Sequence, residues 1–117
     1  KVFYRKDRNL KPITKLNLIS IKKNMGWCND IKSKNYNKLI NINSKTKYEK
    51  MYRRDYKYDY VISINYNTKR TKIGKGSAIF IHLTKNYLPT AGCIALNKKD
   101  FLIMLKLINK NTKIKIF

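Results

Sequence analysis

The stretch that decides the fold runs from residue 76 to residue 96 and reads Gly76-Ser-Ala-Ile-Phe-Ile-His82, a short polar loop, then Pro89-Thr-Ala-Gly-Cys-Ile-Ala-Leu96. Ser77 to Leu83 is apolar at nearly every position, which predicts a central strand that is covered on both faces of a sheet. His82, the only histidine, closes this strand. Cys93 follows a glycine and begins a second short strand. The stretch therefore predicts two strands that each carry one reactive side chain.

A thiol and an imidazole separated by ten residues suggest a nucleophile and its base. An imidazole can take the thiol proton near neutral pH and hold the resulting ion pair. Gly92 before Cys93 allows a sharp turn, in which the backbone N–H groups of both residues would stabilise an oxyanion. The pattern indicates acyl transfer through a thioester. The spacing alone also fits a chance pairing in which Cys93 is a small buried hydrophobic residue.

The same stretch resembles the catalytic motif of the L,D-transpeptidase (YkuD-type) family, bacterial enzymes that remodel peptidoglycan. The family pattern is a histidine on a strand, a loop, then Ser or Thr, any residue, Gly and the nucleophilic Cys. These roles fall here on His82, Thr90, Gly92 and Cys93.

Blocks further upstream resemble a divergent branch of that family. The branch carries Gly-Ser-Ala-Ile-Phe before the histidine and Pro-Thr-x-Gly-Cys around the nucleophile, preceded by Gly-Trp-Cys-Asp-Asp and Tyr-Asn. This chain has Gly26-Trp-Cys-Asn-Asp30 and then Tyr36-Asn37. Several blocks in the same order are more specific than one motif.

The chain also departs from the better-known branch. The glycine that usually follows the histidine is Leu83, the loop from His82 to the cysteine is shorter, and Ala91 and Ala95 replace polar residues. These changes leave nucleophile and base intact but affect which peptide is bound. The N-terminal segment usual in the family is missing, so we expect residues 1–117 to be one catalytic domain without it.

The resemblance implies that Cys93 attacks a stem-peptide carbonyl beside the L-centre of meso-diaminopimelate and expels the terminal D-amino acid. An amine acceptor then gives a transpeptidase, and water gives an L,D-carboxypeptidase. We expect backbone N–H groups of Gly92 and Cys93 to bind the oxyanion. Side chains expected to contact substrate are Thr90, Ser77, Trp27, Asn37 and Tyr87.

No cofactor is expected, and one histidine with two distant cysteines does not form a zinc set. The expected partners are peptidoglycan stem peptides in the periplasm or envelope of a bacterium. No specific nucleic-acid partner is expected. No apolar run approaches the roughly 20 residues that span a bilayer.

The formal net charge of +22 leaves a second class of function open. Such a charge attracts any polyanion, and nine tyrosines could stack on bases, as in a basic nucleic-acid binding module. The joint abundance of Lys, Asn and Ile is also typical of an AT-rich genome. A third possibility is an inactive family member that binds the cell wall as a scaffold.

The two cysteines allow one disulfide, Cys28–Cys93, which would silence the nucleophile. The Gly-Cys context suits a reactive thiol, and the family uses this cysteine free, so we expect Cys93 to be reduced.

The remaining pattern predicts a mainly β domain, a sandwich or barrel-like sheet with one helix near the C-terminus before the last strand. The hydrophobic fraction of 43% is typical of a globular chain. Predicted elements are strands near residues 2–4 and 18–21, an irregular connection over 24–47, a short helix over 44–56, a strand over 58–66, a helix over 98–108 capped by Asn97, and a closing strand over 112–117. Within the predicted helix over 44–56, Glu49 is expected to pair with Arg53.

Overall fold

Two β-sheets and a single helix make up the part of the chain that a computed structural model describes, residues 1–87, 90 and 93–115. In chain order the elements are β1 (Val2–Tyr4), β2 (Leu18–Ser20), β3 (Met25–Cys28), β4 (Leu39–Asn41), β5 (Tyr48–Lys50), β6 (Tyr60–Ser63), β7 (Phe80–Leu83), β8 (Ile94–Leu96) and α1 (Lys98–Leu107). The prediction of a mainly β fold with one C-terminal helix is confirmed.

The larger sheet has five strands in the order β2-β1-β6-β7-β8, and the smaller sheet has the order β4-β3-β5. β7 is antiparallel to β6 and parallel to β8, with Ile81 opposite Ile94 and His82 opposite Ala95. β7 is therefore an interior strand, and all four of its residues are buried. This explains its nearly continuous apolar sequence.

Each face of the five-stranded sheet covers its own hydrophobic core. The helix-side core lies between the sheet and α1, and it contains Val2, Tyr4, Tyr60, Ile62, Ile81, Leu83, Phe101 and Leu105. The inter-sheet core contains Phe3, Ile21, Trp27, Met51, Tyr58, Val61, Ala78 and Phe80. The Trp27 ring joins the two sheets, since it packs edge-on against Phe80 at 5.1 Å and against Phe3 at 6.3 Å. The molecule is a sandwich with a helix on its outer side.

The helix prediction near the C-terminus is confirmed. Asn97 has extended backbone, and its side chain accepts a hydrogen bond from the N–H of Asp100 at 2.9 Å. This contact satisfies one of the free N–H groups of the first turn. Phe101 and Leu105 are buried one turn apart and attach the helix to the sheet. No helix within residues 1–87, 90 and 93–115 is long and apolar enough to span a membrane.

The prediction of a helix over residues 44–56 is wrong. This segment contains β5, which pairs with β3 so that Glu49 lies opposite Trp27 and Tyr48 opposite Cys28. Gly26 lets the strands approach, because a Cβ atom there would lie 2.9 Å from the ring of Tyr48. Pairing with a strand about 20 residues earlier outweighs the local helical spacing.

The prediction of an irregular connection over 24–47 is wrong in the same region, since this segment contains β3 and β4. The strand predicted over 58–66 is shorter, and Tyr58 lies in the inter-sheet core whereas Tyr60 faces the helix. The strand predicted from Ser77 begins only at Phe80.

The closing strand predicted over 112–117 is wrong for residues 112–115, which form no strand. Ile114, in this segment, is 44% exposed. Residues 116 and 117 lie outside the described residues.

Candidate active site

The pairing of β7 with β8 brings the predicted nucleophile and base together. His82 lies opposite Ala95, so Cys93, immediately before β8, is two residues away from His82 along the neighbouring strand. Ordinary sheet spacings place two such Cα atoms about 8 Å apart. Cys93 packs against the inter-sheet core, and the ring of His82 contacts Tyr58 of that core, so both side chains lie on the same face.

The imidazole of His82 is fixed by its neighbours. Its side chain is buried, and Nδ1 lies 2.9 Å from the backbone oxygen of Leu83. A carbonyl can only accept a hydrogen bond, so Nδ1 carries the proton and Nε2 of the neutral ring is left as the basic nitrogen. The Tyr58 ring packs against the imidazole at 5.7 Å. The strand, a backbone carbonyl and an aromatic ring thus set both the tautomer and the orientation of the base.

The sulfur of Cys93 is half-buried and donates a hydrogen bond to the backbone oxygen of Ala78 at 3.2 Å. Burial raises the pKa of the Cys93 thiol, and the nearby Glu49 carboxylate raises it further. A backbone N–H group of Phe80 opposes both effects, because it favours the thiolate. Cys93 is therefore a neutral thiol at rest and needs a base. Cys28 and Cys93 are both free, so the disulfide alternative is wrong.

Two functional candidates that the sequence did not reveal, Glu49 and Tyr58, lie beside this pair. The Tyr58 hydroxyl donates a short hydrogen bond to the Glu49 carboxylate. Burial and this carboxylate raise the pKa of Tyr58 far above its usual value. The expected pairing of Glu49 with Arg53 is wrong, because Arg53 pairs with Asp55. No local sequence pattern could predict the hydrogen bond between Tyr58 and Glu49, because it depends on the pairing of β5 with β3.

Trp27 and Asn37, which the sequence predicted to line the substrate groove, are both buried and are hydrogen-bonded to each other. The Trp27 indole N–H donates to the Asn37 side-chain oxygen at 2.9 Å, and the backbone N–H of Ala78 donates to the same oxygen at 3.1 Å. The Asn37 amide nitrogen donates to the backbone oxygens of Tyr66 and Asn67 at 3.0 and 2.7 Å. Asn37 is only 2% exposed, so its side chain serves the protein and has no surface for a substrate.

Comparison with known families gives one match. A family model described as the L,D-transpeptidase catalytic domain (YkuD) matches residues 12–116, nearly the whole chain. The chain belongs to this family. The resemblance noted in the sequence is thus confirmed at the level of the family. Searches of curated proteins and of solved structures gave no match.

L,D-transpeptidases of this family are cysteine-dependent, act on peptidoglycan stem peptides and are typically associated with the cell envelope.

Three other predicted site residues of this L,D-transpeptidase domain, Thr90, Ser77 and Tyr87, form hydrogen bonds within the protein. The Thr90 hydroxyl donates to the backbone oxygen of Cys93, the residue immediately before β8. The Ser77 hydroxyl donates to the backbone oxygen of Cys28 at 3.0 Å. Tyr87 is more than half exposed, and its hydroxyl accepts hydrogen bonds from the backbone and side chain of Asn97 at 3.1 and 2.9 Å. Gly92, the predicted oxyanion donor, lies outside the described residues.

A hollow in the described part of the chain lies on the opposite face from the thiol. It has a volume of about 650 Å³ and is lined on the helix side by residues that include Ile62, Ile81, Met104 and Ile108. Within the same residues, no group of three or more His, Cys, Asp and Glu side chains could hold a metal ion.

Proposed function

We propose that this domain is a peptidoglycan L,D-transpeptidase in which Cys93 forms a thioester with a stem peptide and His82 transfers the protons. The observation that carries the proposal is the β7–β8 register, which aligns a partly buried thiol and an oriented imidazole on one face of a sheet. Membership of the L,D-transpeptidase family supports the reaction class.

In the first half-reaction, His82 Nε2 takes the thiol proton as the sulfur attacks the carbonyl carbon of the scissile peptide. The carbonyl oxygen becomes an oxyanion, for which we propose the backbone N–H groups of Gly92 and Cys93 as donors. The carbon–nitrogen bond then breaks, and the departing amine of the D-amino acid takes the proton from His82. A thioester on Cys93 remains.

In the second half-reaction, the neutral His82 ring takes a proton from an incoming amine, whose nitrogen attacks the thioester carbonyl. The carbon–sulfur bond breaks, and Cys93 recovers its proton from the imidazolium. Water in place of the amine would give an L,D-carboxypeptidase with the same residues and the same intermediate. The acceptor therefore decides between the two activities, and the product identifies it.

Intact mass spectrometry after mixing the protein with a tetrapeptide stem donor tests the proposal. We expect an acyl adduct that maps to Cys93 and that an added amine converts into a crosslinked product. Cys93→Ala should abolish the adduct, whereas Cys28→Ala, the matched change at the buried cysteine, should retain it. An adduct that survives Cys93→Ala, or no adduct on a folded wild-type protein, would refute the proposal.

A basic polyanion-binding module is the second candidate. The observation that favours it is the net charge of +22 together with internal partners for the acids: Asp7, Asp59 and Asp55 pair with arginines, and Glu49 binds Tyr58. Oligonucleotide binding that weakens steeply with salt and survives Cys93→Ala would favour this candidate.

We propose the periplasm or cell envelope as the location, where anionic wall polymers would meet this charge.

A further inference from the structure

The segment Ala78–Phe80 touches the nucleophilic sulfur at two points. The backbone oxygen of Ala78 accepts a hydrogen bond from the Cys93 thiol, with sulfur and oxygen 3.2 Å apart, and a backbone N–H of Phe80 interacts with the sulfur from the same segment. The first contact favours the neutral thiol and the second favours the thiolate. The position of this segment therefore controls where the sulfur lies and how readily it loses its proton.

Ala78 has an unusual backbone conformation that needs support. Its φ of 55° lies in the left-handed region, which is costly for a residue with a Cβ atom. It is also buried, and its N–H donates to the Asn37 side-chain oxygen at 3.1 Å. This bond holds the peptide group that precedes the Ala78 carbonyl.

Asn37 is itself held from several sides. Its oxygen accepts from Trp27 and Ala78, its amide nitrogen donates to Tyr66 and Asn67, and its own N–H donates to Cys28. The side chain thus uses both donors and both acceptor positions. Its φ of 58° is one that asparagine tolerates better than most residues.

We propose that Asn37 is a positioning residue for the nucleophile: it acts through Ala78 to hold the backbone oxygen on which the Cys93 thiol rests. The inference rests on the proposed function, since it assumes that Cys93 is the nucleophile. In this proposal Asn37 holds the backbone segment that contacts the sulfur, whereas the sequence alone predicted that Asn37 contacts the substrate. Through this hydrogen-bonded chain, β3 and the loop after it determine the geometry of a thiol more than 50 residues later in the sequence.

Three variants separate this role from a purely structural one. Asn37→Gly keeps the left-handed backbone and removes the oxygen that holds Ala78. Asn37→Asp keeps that oxygen and loses the two donated bonds to Tyr66 and Asn67. Asn67→Gly is the matched control, because Asn67 also has a left-handed φ of 56° and its side chain bonds only to Lys72 and Gly76 in the next loop.

The first measurement is the rate of iodoacetamide alkylation at each cysteine, mapped by mass spectrometry over a range of pH. In Asn37→Gly the thiol loses its resting acceptor, so Cys93 should react severalfold faster at neutral pH, with the midpoint of its profile at lower pH. Cys28, which is fully buried, should stay protected and so shows that the fold is intact. Asn67→Gly should match the wild type.

The second measurement is acyl transfer to Cys93 from the tetrapeptide donor. In Asn37→Gly the sulfur reacts faster with a small reagent but is no longer aligned with the donor carbonyl. We therefore expect kcat to fall by roughly 10- to 100-fold with little change in KM. Asn37→Asp should be less stable, and its added negative charge near the sulfur should move the Cys93 alkylation midpoint to higher pH, opposite to Asn37→Gly, while kcat measured above that midpoint stays near the wild-type value. If Asn37→Gly does not fold, the kcat of Asn37→Asp tests the proposal by itself.

An unchanged Cys93 profile in folded Asn37→Gly, a fall in the kcat of folded Asn37→Asp as large as that expected for Asn37→Gly, or an equal change in Asn67→Gly would overturn the proposal. If the wild type forms no thioester while the alkylation results hold, the proposed function fails and the control of the thiol by Asn37 stands.

Discussion

Alkaline pH should destabilise this protein in part through a buried tyrosine, Tyr58. The perturbation is Tyr58→Phe, which removes the hydroxyl that donates to Glu49 and keeps the ring that packs against Phe80 and His82. The Tyr58 side chain is almost fully buried, and its pKa is raised far above the ordinary value by burial and by the Glu49 carboxylate. The hydroxyl therefore stays protonated in the folded protein at a pH that ionises it in the unfolded chain.

The expected change in the free energy of unfolding follows from two contributions, one at each pH. At pH 8 a hydrogen bond to a charged group contributes about 1.5–3 kcal/mol, and because Glu49 is half-exposed we expect its loss to cost only about 1 kcal/mol. At pH 11 the unfolded tyrosine, with a pKa of about 10, is mostly ionised, whereas the folded one is not. The folded state then binds more protons than the unfolded state, so stability falls as pH rises above 10. The loss at pH 11 is about 1.4 kcal/mol.

Urea denaturation followed by Trp27 fluorescence at pH 8 and pH 11, with a reductant for the free thiols, measures both contributions. We expect the wild type to be the more stable protein at pH 8 and to lose that advantage at pH 11. Tyr66→Phe is the control, since Tyr66 is about half exposed and lies outside both cores, and its effect should be small and equal at the two pH values. Equal losses of stability by the wild type and Tyr58→Phe on going to pH 11 would refute the reasoning.

Three further outcomes are expected. Glu49→Gln removes a carboxylate that raises the pKa of Cys93, so the alkylation profile of that thiol should move to lower pH; a move to higher pH would contradict the assigned sign. Phe80→Ala removes a fully buried ring from the inter-sheet core and should cost about 3–5 kcal/mol in urea unfolding, more than any exposed substitution. Asn97→Ala removes the helix cap and should cost about 1 kcal/mol, measured by the same method, whereas Asn97→Asp should cost less because it keeps the accepting oxygen.

The sequence alone determined the elements whose causes are local. The helix after Asn97 follows from a cap, an apolar stripe and good helix formers within about ten residues, and its prediction was correct to one residue at the C-terminal end. β7 was predictable from its apolar run, although the left-handed backbone at Ala78 delays its start. The thiol and the imidazole stood out because their residue types are rare in this chain.

Tertiary structure decided the elements and contacts that depend on partners distant in sequence. The pattern over 44–56 predicts a helix, but pairing with β3 makes residues 48–50 a strand, since cross-strand packing outweighs weak local propensity. The same pairing brings Glu49 to Tyr58, and the fold brings Asn37 to Ala78 behind Cys93. The sequence named the two groups that we propose react. Only the packed sheets set the carbonyl, the ring and the carboxylate around them, because those contacts join segments that are distant in the chain.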